Sequence, residues 1–159
     1  MSSADARPRL RLTVIAATAV AGTLDILSAF VFAGIDGISV TNVLRYVASG
    51  LFEDGAFHGD IWPAVGLLVH FGIMAIMVAT YMIAARQLPW LLRSPILAGL
   101  AYGVLLWLIM YWLVKPLRWP DAPLPHTAYD ITNALFSHCL LVGLPIALIA
   151  QRAFGRETR

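Results

Sequence analysis

The chain has 159 residues, of which 60% are hydrophobic and 13% charged, with a formal net charge of +2. Soluble domains carry roughly a quarter charged residues, so this composition belongs to the membrane class, and so weak a net charge gives no reason to expect nucleic acid. The length allows one compact domain, and the single cysteine, Cys139, excludes an intrachain disulfide and reads as a small buried residue in an apolar run.

Met1 to Arg11 is short and basic (Arg7, Arg9, Arg11), and Pro8 limits any helix before it. The apolar run from Leu12 to Ile35 is longer than the core of a secretory signal and contains Asp25. It predicts a first membrane helix over about 11–34. Thr18, Ala21, Gly22, Asp25, Ser28 and Ala29 recur along it at steps of three and four. Small residues let helices approach closely in lipid, so this arc should face protein.

The loop from Asp36 to Asp60 holds Val40, Val43, Leu44, Val47 and Leu51 at helical spacing, with Ser39 or Thr41 as a cap and Gly50 near the end. This is a short amphipathic helix over about 40–50, too short to span. Glu53, Asp54 and Asp60 follow it.

The second membrane helix covers about 62–86, with Trp62 as an interfacial anchor. His70, Met74, Met77 and Tyr81 lie along one stripe. Gln87 to Ser94, with Pro89, is a tight turn, and Pro95 fits the first turn of a third helix over about 95–115. Gly99 and Gly103 form a G-x-x-x-G pair there, and Trp107, Tyr111 and Trp112 mark its far half. Pro116, Pro120, Pro123 and Pro125 predict a stiff extended segment from Lys115 to His126. The fourth helix runs over about 127–152. Thr127 is its cap and Asp130 suits its positive end. Gly143 and Pro145 predict a kink that frees the carbonyl of Leu141.

Four spans put both chain ends on one side. Of the 11 basic residues, Arg7, Arg9, Arg11, Arg86, Arg93, Arg152, Arg156 and Arg159 share that side, against Arg45, Lys115 and Arg118 on the other. The positive-inside rule then makes both termini cytoplasmic.

Three ionisable residues sit inside the spans: Asp25, His70 and His138. Counting helical rise from the outer ends puts them at one depth in the outer half. A polar group in hydrocarbon must find a partner. One reading is therefore packing: a carboxylate bonded to a histidine or hydroxyl, gluing the bundle. The other is a site for a proton, a metal ion or a small cation. Two histidines and a carboxylate can hold a divalent metal, and an Asp–His pair can handle protons because imidazole titrates near neutral pH. Ser28, Tyr81, Asp130, Asn133 and Ser137 are possible supporting residues. A third reading places a haem between His70 and His138, although no other haem signature is present. No cofactor is the simplest expectation. No nucleophile elbow, phosphate loop or paired-carboxylate pattern speaks for catalysis.

The second helix, with His70, Tyr81 and Pro89, resembles in spacing that of small uncharacterised bacterial inner-membrane proteins, loosely of the YagU type. Ala21-Gly22 and Ser28-Ala29-Phe30-Val31 are similar to the first helix of that group, and Phe136-Ser137-His138 resembles a Phe-Gly-His in its last. Asp25 and the first loop have no counterpart there. The resemblance implies a bacterial inner membrane and no particular activity.

The chain therefore reads as an all-α integral membrane protein, a four-helix transmembrane bundle with a short amphipathic helix in the outer loop. Its expected function is to bind or relay a proton or small cation at the outer-half cluster. The alternative is a structural or accessory subunit that uses the G-x-x-x-G face and the amphipathic helix as contact surfaces. Its surroundings are a lipid bilayer, with a second copy or another membrane protein as a partner. A transport role would call for a dimer, since four short helices are few.

Overall fold

In hydrocarbon a backbone must satisfy its own polar groups, and a long apolar run does so as a helix. A computed structural model of the chain describes residues 3–52 and 56–155, with side chains from Leu10 onward. Glu53, Asp54, Arg156, Arg159 and the side chains of Arg7 and Arg9 lie outside the described residues. The elements are α1 (Ser3–Ile35), α2 (Val40–Phe52), α3 (Trp62–Gln87), the single turn α4 (Trp90–Arg93), α5 (Pro95–Arg118) and α6 (Ala128–Phe154). Leu10–Ile35 of α1 and the whole of α3, α5 and α6 are long and apolar enough to cross a membrane. Their outer faces carry large apolar side chains, with Leu68 75% and Ile76 68% exposed. Such a surface needs lipid rather than water, and the chain is a multi-pass integral membrane protein.

Local chemistry sets the ends of these helices. Gly37, at φ 75°, closes α1: its N–H donates to Gly34 at 3.1 Å and that of Ile38 to Ala33 at 2.8 Å, a Schellman closure. Ser39 Oγ accepts from the N–H of Asn42 at the start of α2. Thr127 and Asp130 form a reciprocal capping box on α6: Asp130 N–H donates to Thr127 Oγ1 at 3.1 Å and Thr127 N–H to Asp130 Oδ2 at 3.4 Å.

Three expectations are corrected. α1 begins at Ser3, so Pro8 is carried within the helix, where it forgoes one backbone bond. The 87–94 turn contains α4. The extended segment begins only after Arg118, because Pro116 stands in the first turn of a short helical run that continues α5.

That continuation, like the kink in α6, is built on a π-helical segment. Ile109–Val114 precedes Pro116, and Phe136–Gly143 precedes Pro145. Proline lacks an N–H and crowds the carbonyl four residues back. A wider turn immediately before it changes which carbonyls need a donor.

α6 packs against α1, α3 and α5, while α1 packs on α3 and α2 lies on α3. Glycines set the closest of these approaches. A β-carbon on Gly103 would sit 2.4 Å from the His138 carbonyl oxygen, and one on Gly143 would sit 2.1 Å from that of Gly99. The G-x-x-x-G pair is therefore consumed inside the bundle by α6, which removes it as a contact face for an accessory subunit. Gly66 lets the backbone of α2 rest on α3, since its β-carbon would fall 1.9 Å from the Leu44 carbonyl oxygen.

The solid core lies toward the α4 end and includes Val78, Tyr81, Met82, Leu92, Ile146 and Phe154. Tyr102 braces it, donating its hydroxyl to the Met77 carbonyl at 2.7 Å.

Gly103→Ala should destabilise the protein by about 1–3 kcal/mol through overpacking. Gly72→Ala, where nothing lies within 4 Å of the added carbon, should be neutral or stabilise by up to about 1 kcal/mol through helix propensity. Thermal unfolding in detergent measures both.

Candidate functional site

The α2 half of the bundle is hollow. A cavity of about 420 Å³ lies among α1, α2, α3, the π segment of α5 and the π segment of α6. Met74 and Val142 belong to both the core and the cavity lining, so the cavity floor is the top of the core. α2 and Trp119 cover it. The rings of Tyr46 and Trp119 stack at 4.4 Å, Trp119 Nε1–H donates to Ser49 Oγ at 3.2 Å, and Arg118 donates to the carbonyls of Ser49 and Gly50. Burial lifts the Tyr46 hydroxyl above its ordinary pKa, so it stays neutral at physiological pH.

Asp25, His70 and His138 all line this cavity, each from a different span. They do not bond to one another. His70, 9% exposed, donates Nε2–H to the Gly22 carbonyl at 2.9 Å and so joins α3 to α1. His138 donates Nδ1–H to the Ala134 carbonyl at 2.9 Å, one turn back on its own helix. Each neutral imidazole keeps one ring nitrogen outside these bonds. The Asp25 carboxylate makes no hydrogen bond or ion pair among the described residues, and its electrostatic neighbours are His138 and His70.

Among the described residues no group of three His, Cys, Asp or Glu side chains is placed to hold a metal ion. The metal option weighed for Asp25, His70 and His138 finds no such grouping there; each imidazole is instead anchored through one nitrogen to a backbone carbonyl, of α1 for His70 and of α6 for His138. The bond to Gly22 bears on the haem reading, because an axial His70 would ligate through Nδ1 or else release Nε2 from Gly22.

The supporting residues divide. Ser28 and Ser137 meet, their hydroxyls 2.7 Å apart and buried, and join α1 to α6. Tyr81 lies in the core with its hydroxyl toward the Leu91 carbonyl at 3.5 Å. Asp130 is engaged in the cap, and neither it nor Asn133 lines the cavity.

The sequence reading missed Tyr46, Met110, Tyr111, Lys115 and Trp119 as lining residues. Tyr111 meets His138 edge-on at 5.8 Å. The Lys115 ammonium lies 5.7 Å from the Tyr111 ring centroid and donates to the Pro123 carbonyl at 2.7 Å. Tyr46, three residues after Val43 on the amphipathic helix, carried a signal in its spacing. Trp119, inside the proline-rich segment, carried none.

Comparison of the chain with protein-family models, with curated proteins and with solved structures gives no match.

Ser28→Ala and Ser137→Ala should be coupled. A double-mutant cycle on unfolding in detergent is expected to give an interaction of about 0.6 kcal/mol, the usual size of an interhelical hydrogen bond in a membrane protein; additive effects would mean that the bond contributes nothing.

Proposed function

We propose that this is an inner-membrane protein that binds or relays one positive charge, a proton or a small cation, at Asp25. The observation that carries the reading is a carboxylate lining a mainly apolar cavity with no hydrogen bond and no ion pair among the described residues. An uncompensated carboxylate in such surroundings is costly and is neutralised either by a proton or by a bound cation. His70 and His138 fit the same role. Each is anchored through one nitrogen, and protonating the other breaks neither anchor. They can take up and return a proton beside Asp25 while holding their places.

Infrared difference spectra between acidic and alkaline samples are expected to contain a protonated-carboxyl band that Asp25→Asn removes and Ser28→Ala leaves. A set of bands unchanged by Asp25→Asn would sink the proposal.

The resemblance to small bacterial inner-membrane proteins supports a bacterial inner membrane. The basic residues support cytoplasmic termini: Arg11, Arg86, Arg93 and Arg152 are exposed at the α4 end. A phosphatase reporter fused after Asp60 should be active in cells and one fused at the C-terminus inactive; the reverse pattern overturns this orientation.

A further inference from the structure

We infer that the charge held at Asp25 belongs to an organic monocation with an apolar body, which exchanges with a proton. The inference rests on the proposal that Asp25 binds one positive charge, and it names the kind of molecule that carries it. A volume of about 420 Å³ falls within the usual range of small-molecule pockets and far exceeds the room a bare ion needs. The wall is mainly apolar, with Ile26, Val47, Ile73 and Val142 among its residues. Met74, Met77 and Met110 add flexible, polarisable side chains that adjust to ligands of different shape. Tyr46, Tyr111 and Trp119 add aromatic rings to the lining, and rings of this kind already take cations here, with Lys115 over Tyr111 and Arg118 over Trp119.

An inorganic cation has little to gain here. It needs several converging oxygens or nitrogens to replace its hydration shell, and among the described residues no three His, Cys, Asp or Glu side chains converge to hold one. An organic cation replaces that coordination with apolar contact, aromatic faces and one counter-charge. Among the described lining residues Asp25 is the only acidic side chain. The only lysine or arginine among them, Lys115, is held by Pro123 and Tyr111 rather than by Asp25.

Exchange with a proton follows from competition for one group: the Asp25 carboxylate can hold a proton or pair with the charge of the ligand, but not both. The titratable or charged groups that share the cavity with Asp25 are Tyr46 from α2, His70 from α3, Tyr111 and Lys115 from α5, and His138 from α6. At acidic pH the acid form of Asp25 no longer offers a cation its counter-charge.

The test is calorimetric titration of the purified full chain in detergent with benzyltrimethylammonium. Neopentylbenzene serves as its neutral carbon analogue, with tetramethylammonium and sodium as further controls. Benzyltrimethylammonium is expected to bind saturably at alkaline pH, about tenfold or more tighter than each control. Binding should weaken at acidic pH and be lost in Asp25→Asn. Val47→Trp, which fills the cavity without touching a charge, should abolish binding while the Asp25 infrared band remains. It keeps the test decisive if Asp25→Asn fails to fold. Binding that survives Asp25→Asn, or equal binding of the neutral analogue, overturns the inference. No binding alongside an intact Asp25 infrared band overturns the organic cation alone. Absence of both overturns the parent proposal as well.

Discussion

Where Gly103 meets His138 and Cys139, two helix backbones touch with no side chain between them. Lipid offers no hydrophobic drive to bring helices together, so close packing of this kind does that work. The contact runs along the pair through Gly99 and Gly143, and it ties the regular part of α5 to the π-helical segment of α6. The carbonyl oxygen that a Gly103 β-carbon would strike belongs to His138 itself. The histidine is thus placed by its backbone first, then by its ring bond to Ala134. α1 lies close enough to α6 for Ser28 to reach Ser137, and close enough to α3 for Gly22 to accept from His70.

The bundle that results is solid at one end and hollow at the other, and the prolines account for part of the difference. A π turn widens a helix locally and shifts its side chains around the axis. Both π segments fall in the hollow half, each ahead of a proline, and Met110, Tyr111, Val114, His138 and Val142 from them line the cavity. Toward the α4 end, regular helix and small residues such as Ala85, Ala98, Ala147 and Ala150 allow ordinary close packing. The hollow half is then covered by a helix that does not span. α2 rests on α3 through Gly66 and is joined to the end of α5 by Arg118 and Trp119.

Much of this was legible in the chain because lipid imposes strict demands on sequence. Spans must be apolar and long, and the four runs stood out for that reason. Ser39, Thr127 and Asp130 were readable as caps because orphan backbone groups need partners. The stripe of His70, Met74 and Tyr81 was legible as a buried face from helical period alone. Less legible was anything that depended on a second helix. The G-x-x-x-G pair signals a close neighbour, but not that the neighbour is Gly143 of the same chain. Pro145 signals a disturbed backbone, but not whether it bends or widens. His70 and His138 each found a backbone carbonyl rather than Asp25, and side-chain counting at equal depth does not reach that distinction. Trp119 reached the cavity from a proline-rich segment with no period to read.

The histidines and the carboxylate therefore satisfy different requirements, although their depths are similar. Each imidazole has its anchoring bond, and in that capacity it is packing: His70 joins α1 to α3, and His138 steadies a widened turn. Asp25 has no such bond and gives the bundle no cohesion through its side chain. A residue that only glued helices would be expected to reach a donor, and Ser28, three residues further along the same helix, does so. Asp25 instead faces a cavity with two imidazoles, aromatic rings and apolar walls. Replacing it by a small apolar residue would spare the bundle the cost of a desolvated carboxylate and sacrifice no bond of its own. Under the proposed function its presence answers to what enters the cavity rather than to what holds the helices together.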